Sequence, residues 1–194
     1  MSENERAKII LKILNQIYPK TPIPLKHKSK FTLLISVLLS AQTTDVNVNN
    51  VTKDIYRKHY KPEHFAKLGR KKIEKLIKSI GIFRMKAKSI YYLSKQLIEN
   101  HRGKVPQTFE ELEKLPGVGH KTASVVMAQG FGHSAFPVDT HIHRLAQRWG
   151  LTNGKNVVQT EKDLKRLFPK KFWNKLHLQI IYYGREYCKA RECY

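Results

Sequence analysis

The sequence predicts an all-helical fold, and three observations carry that prediction. Apolar residues recur at helical spacing through most of the chain, no stretch keeps an apolar–polar alternation over strand length, and Gly, Pro, Ser, Thr and Asp fall where such helices must start or stop. A length of 194 residues suits one large domain or two small ones sharing an interface.

The first helix is expected over 5–18, where Ala7, Ile10, Leu11, Leu14, Ile17 and Tyr18 form a stripe that ends at Pro19. KTPIPLKHKSK, rich in Pro and Lys, reads as a loop or hinge between lobes. FTLLISVLLSA, at 31–41, is apolar on nearly every face and predicts a buried central helix, since a surface helix keeps a polar side. Gln42 follows at its end and by itself reads as an exposed turn residue. Thr44 or Asp45 caps the next helix, which carries Val48, Val51 and Ile55.

Short, basic helical pieces fill 61–80 and stop at SIG. SIGIFRMKAKSI (79–90) then resembles LPGVGHKTASV (115–125): each places a glycine turn a few residues before a Lys and an apolar-striped helix. After Gly81 the stripe is Ala87, Ile90, Leu93 and Leu97. In the second copy Thr108 and Glu111 form a candidate capping box over FEELEK, Pro116 stops that helix, and another runs over KTASVVMAQ to Gly130 and Gly132. Asp139 or Thr140 caps a helix with Ile142, Leu145, Ala146 and Trp149 inward. Two amphipathic helices close the chain, one over 156–168 with Val157, Leu164, Leu167 and Phe168 inward, the other over 170–184 with Phe172, Trp173, Leu176, Ile180 and Tyr183.

Charge narrows the partners. Lys and Arg number 37 against 15 Asp and Glu, a formal net charge of +22 that repels itself in a compact fold and points to a polyanion, usually nucleic acid. No apolar run approaches the roughly 18 residues that span a bilayer, and MSENERAK lacks a secretory core, so a cytoplasmic, nucleoid-associated location is expected. Two neighbouring cysteines, Cys188 and Cys193, suit a reducing compartment better than a disulfide framework.

The stretch richest in chemistry is LPGVGHKTA, 115–123, with VDTH at 138–141. Glycines flank Val118 and helix formers follow, which predicts a tight hairpin whose N–H groups open a helix near His120. Bare N–H groups with a helix dipole behind them attract anions. Taken alone, Lys121 reads as a phosphate ligand and Asp139 as an N-cap.

LLSAQTTDVNVN (38–49), IKSIG (77–81), LPGVGHKTA, FPVDTHIHR (136–144) and YGREYC (183–188) together resemble the helix-hairpin-helix base-excision DNA glycosylases, and among them the bifunctional enzymes for damaged pyrimidines. The likeness runs from about residue 5 to Cys188. It implies two helical lobes flanking a DNA-binding cleft: a six-helix lobe with the hairpin over 23–133, and a second lobe from 1–22 plus 134–194. It also implies excision of oxidised or ring-saturated pyrimidines from double-stranded DNA, then nicking of the abasic site, by a monomer.

On that resemblance Lys121 matches the Schiff-base nucleophile and Asp139 its carboxylate. The helix start and desolvation against DNA would push the lysine's pKa down, whereas the carboxylate alone would raise it, so Asp139 is assigned to accepting a proton or stabilising developing positive charge. Gln42 and Ile82 match positions that fill the stack once a base is extruded. Gly117, Val118, Gly119, His120 and Thr122 fall on the phosphate-binding hairpin, His120 standing where relatives often carry Arg, so that it contacts phosphate if protonated or is a plain surface histidine.

The C-terminus departs from the pattern. Many relatives hold a four-iron, four-sulfur cluster with C-x6-C-x2-C-x5-C, whereas this chain has Cys188, four residues, Cys193 and Tyr194. Either the chain is a cluster-free variant, which the shortened spacing favours, or the given sequence stops where the ligands begin. No cofactor is therefore expected on these residues. Two other functions fit parts of the pattern: a non-catalytic helix-hairpin-helix DNA-binding protein, and a monofunctional adenine glycosylase, although such relatives typically lack the Lys.

Overall fold

The computed structural model describes residues 1–189 and is helical throughout, with no strand among them. Contacts divide it into two compact units, Pro24–Phe131 and the combination of Met1–Ile23 with the chain from Gly132 onward. No described helix is long and apolar enough to cross a membrane.

The first of these units contains α2 (Lys30–Ser40), α3 (Asp45–Lys58), α4 (Pro62–Leu68), α5 (Arg70–Leu76), α6 (Phe83–His101), α7 (Phe109–Glu113) and α8 (His120–Val125). As its composition predicts, α2 is the centre: every residue from Phe31 to Leu39 is buried. Its two interior hydroxyl residues are satisfied, Ser36 by the Tyr56 hydroxyl at 2.8 Å and Thr32 by Ser29. Thr44, rather than Asp45, caps α3, its hydroxyl accepting from Asn47 N–H at 3.3 Å. Gly69, at φ 75, separates α4 from α5.

Two local expectations need correction. The Thr108–Glu111 pair forms half a capping box: the hydroxyl accepts from Glu111 N–H at 3.2 Å, but the carboxylate takes the Thr108 hydroxyl proton at 2.8 Å instead of reaching the Thr108 backbone. The helix that begins at His120 keeps α geometry only to Val125 and continues as a π-helical turn over Val126–Gly130.

The second unit contains α1 (Glu3–Ile17), α9 (Thr140–Arg148), α10 (Val157–Leu167), a 3₁₀ turn (Lys170–Phe172) and α11 (Trp173–Glu186). The first helix starts two residues earlier than its stripe suggests, because Ser2 and Glu5 form a reciprocal capping box. Of that stripe Ala7 and Leu14 are fully buried, and they pack with Phe136, Ile142, Leu145, Leu164, Leu176 and Ile180. Polar ties fix the ends. Gln179 on α11 donates to the carbonyls of Leu14 and Tyr18 at 3.1 and 2.9 Å, and Arg6 on α1 donates twice to Gly150 O, at 3.0 and 2.8 Å. The first adds to the Tyr18 N–H already bound at Leu14 O, and the second holds the turn just past the end of α9 to α1.

Candidate active site

The hairpin between α7 and α8 is a compact turn. Leu115 N–H donates to Leu112 O and Val118 N–H to Leu115 O, each at 3.0 Å. Gly117 sits at φ 79, and a Cβ there would lie 2.6 Å from Ser89 Oγ and 2.7 Å from Ser89 Cβ, so the turn requires glycine on both counts. Gly119 differs. Its φ of −93° and ψ of 177° suit any residue, and a Cβ would meet nothing within 4 Å. Glycine there leaves the start of α8 without a side chain.

Val118 is an anchor: its side chain is buried and its N–H is used inside the turn. His120 is exposed but not idle. Its Nδ1 lies 2.8 Å from Glu113 Oε1 and its ring stacks on Phe109 at a centroid separation of 5.6 Å. Lys121 follows at the surface, Thr122 is half-buried, and Ala123 and Ser124 turn into the core.

In the other unit Asp139 caps α9. Its Oδ1 accepts from the N–H groups of His141 at 3.0 Å and Ile142 at 2.9 Å. The second oxygen lies 3.3 Å from His141 Nδ1. His177 of α11 is buried in the same unit, with Nδ1 3.2 Å from Trp173 O. Burial pushes its pKa down to about 4, against a partial upward pull from that carbonyl and from the charge of Asp139.

Gln42 and Ile82 share an unusual backbone. Both are exposed and left-handed, at φ 56 and φ 49. That conformation costs a residue with a side chain roughly 1–2 kcal/mol and is least tolerable for a β-branched one, so an exposed Ile held there marks strain maintained by its surroundings. The surroundings include a residue that sequence reasoning missed. Lys86 lies in register with Ile90, Leu93 and Leu97 on the buried stripe of α6 and is only 4% exposed. Its Nζ donates to Leu39 O at 2.9 Å and to Ala41 O, the carbonyls released where α2 ends. A cation on an apolar stripe was the available signal. Burial lowers its pKa.

The residues near the C-terminus do not fit a four-cysteine cluster. The chain has two cysteines, and Cys193 lies outside the described residues. Cys188 is buried and disulfide-bonded rather than the reduced thiol expected, with Arg148 Nη1 3.0 Å from its sulfur. Among the described residues no group of three or more His, Cys, Asp or Glu could hold a metal ion.

Comparison with known proteins adds to this geometry. The model of the HhH-GPD superfamily base excision DNA repair proteins matches residues 35–170. Endonuclease III of Bacillus subtilis (strain 168) is 43% identical over 179 residues, 92% of this chain and 82% of that protein. Endonuclease III of Escherichia coli (strain K12) is 42% identical over 185 residues, 94% of this chain and 88% of that one. Among solved structures, a trapped endonuclease III–DNA covalent intermediate superposes with a TM-score of 0.96 at 39% identity, covering all of this chain and 91% of its own. A thermostable thymine-DNA glycosylase, at 23% identity and a TM-score of 0.85, shares the fold.

Proposed function

Because the chain belongs to the HhH-GPD superfamily of base excision DNA repair proteins, we propose that Lys121 and Asp139 carry its chemistry on one extruded nucleotide. The protein is a DNA glycosylase of the endonuclease III kind with abasic-site lyase activity. Its substrates on this reading are oxidised or ring-saturated pyrimidines in double-stranded DNA, met by a monomer on the nucleoid. The observation that carries the assignment is Lys121 itself: an exposed amine one residue inside the hairpin helix, in a chain whose solved relative was trapped covalently on DNA.

The reaction needs a neutral amine, since an ammonium has no lone pair to give. Lys121 Nζ, having lost a proton, attacks C1′ of the sugar as the glycosidic bond breaks, and the base leaves with the bonding pair and takes a proton. Positive charge develops on the sugar during this step. The Asp139 carboxylate supplies the opposing charge and, through Oδ2, a place for the amine's proton. Ring opening gives an imine between Nζ and C1′. The imine acidifies C2′–H; removal of that proton forms the C2′–C3′ double bond and expels the 3′ phosphate, nicking the strand. Water then hydrolyses the imine and frees the lysine.

The remaining side chains hold DNA. Gly119, at the bare start of α8, leaves the closest approach for a phosphate, with Gly117 fixing the turn, Val118 anchoring it, and His120 and Thr122 beside it. Once protonated, His120 would have to exchange Glu113 for phosphate. Gln42 and Ile82 fill the space that the extruded nucleotide leaves.

Borohydride reduction during turnover tests the assignment, because it converts the imine to a stable amine. Wild type is expected to form a covalent adduct with an abasic duplex, and Lys121→Ala none. An undiminished adduct in Lys121→Ala would remove the nucleophile assignment. Absence of any adduct in wild type would favour a non-catalytic binder or a monofunctional adenine glycosylase.

A further inference from the structure

The two stack-filling residues sit on different turns, one after α2 and one before α6, yet polar contacts join those turns into one tip. Gly81 N–H donates to Thr43 Oγ1 at 3.3 Å, and Asn47 Nδ2 donates to Ser79 O at 3.2 Å. Packing is close enough that a Cβ on Gly81 would stand 3.1 Å from Gln42 O. Beneath them the Lys86 ammonium, on the second turn of α6, binds Leu39 O and Ala41 O at the end of α2. That ammonium offsets the negative end of the α2 dipole and satisfies carbonyls the helix leaves bare. One buried charge thus ties the helix that ends just before Gln42 to the helix that begins just after Ile82.

A cap alone would not call for a cation taken out of water, since α2 could end on a glycine turn as other helices do. The tie has a use where two strained side chains must be presented together, already ordered, to an opening base stack. We propose that Lys86 is a positioning residue for base extrusion, holding Gln42 and Ile82 as one rigid wedge; this rests on the stack-filling reading of those two residues. The role is specific to paired DNA. A target already unstacked needs no wedge, so Lys86 matters there only through the stability of the fold.

The test compares single-turnover excision of a dihydrouracil placed in a duplex with excision of the same base in a single strand. Lys86→Met keeps the length and removes the charge. It is expected to lower the duplex-to-single-strand rate ratio about tenfold, equivalent to roughly 1.4 kcal/mol of wedge positioning. Thr43→Val removes the acceptor for Gly81 N–H near the surface and is expected to move the ratio the same way by a smaller factor. It decides the matter if Lys86→Met does not fold. A 2-aminopurine next to the lesion should brighten less on binding to either variant than to wild type. Equal slowing on both substrates would reduce Lys86 to a structural cap and overturn the proposal, as would an unchanged ratio in folded variants. Gln42→Ala and Ile82→Ala serve as references: if neither alters the ratio, the stack-filling reading itself fails, whatever Lys86 does.

Discussion

Acidification should weaken the unit that carries Asp139 through one buried imidazole. His177 is 1% exposed, and because Nδ1 faces a carbonyl, which can only accept, that nitrogen carries the hydrogen of the neutral ring. Burial holds the folded pKa near 4 against an ordinary 6.5. Between these values the unfolded chain binds a proton that the folded chain refuses, so stability falls as pH drops from 6.5 toward 4 and is fully kept above 6.5. At about 1.36 kcal/mol per pH unit the whole span is worth about 3 kcal/mol, and about 2.5 kcal/mol of it is lost by pH 4.5. Urea unfolding followed by tryptophan fluorescence is the assay, because both tryptophans, Trp149 and Trp173, lie in the unit that holds His177. His177→Asn offers an amide to Trp173 O and does not titrate. It should lower stability at pH 7.5, while the gap to wild type closes by about 2.5 kcal/mol at pH 4.5. Parallel curves for the two proteins across that range would refute the buried neutral imidazole. In an Asp139→Asn background the wild-type imidazole loses the charge that pulls its pKa upward, so its share of the acid loss should grow.

Asp139→Asn by itself should retain the cap on α9, since Asn serves as well as Asp at that position, and should bind abasic DNA nearly as wild type does. Turnover should fall by about 10²- to 10⁴-fold in single-turnover assays, and an equal loss of binding would make the residue structural. The two hairpin glycines should separate by readout. Gly117→Ala should cost roughly 2–5 kcal/mol, from about 1–2 for left-handed backbone and about 1–3 for the clash with Ser89, seen as an earlier thermal midpoint by circular dichroism. Gly119→Ala should leave that midpoint nearly unchanged but weaken duplex binding, and equal destabilisation by both would refute the distinction.

Much of the site was legible because its determinants are local. Asp139 caps α9 by reaching N–H groups two and three residues ahead, a range at which sequence spacing is also spatial spacing. The glycine turn before Lys121 was legible in the same way, as was α2, whose unbroken apolar run admits only a buried helix. Elsewhere on the hairpin a partner at longer range takes part. Val118 lies in a motif expected to touch phosphate, but its side chain joins the core. His120 was left open between phosphate and solvent, and the structure pairs it with Glu113, seven residues back across the turn.

By itself, then, the sequence determined the helices, the hairpin, the place of Lys121 at the start of α8 and that of Asp139 as the cap of α9, because periodicity, caps and glycine turns act within a few residues. Only the tertiary structure decided the state of the polar groups inside. Nothing near Lys86 announces that its acceptors lie 45 and 47 residues away, or that a neighbouring turn will hold Gln42 and Ile82 left-handed. Nor does the stripe of α11 reveal that the imidazole of His177 will be dry and neutral. Burial is a property of everything packed around a group, and the cost of a charge or a strained backbone is set by that environment.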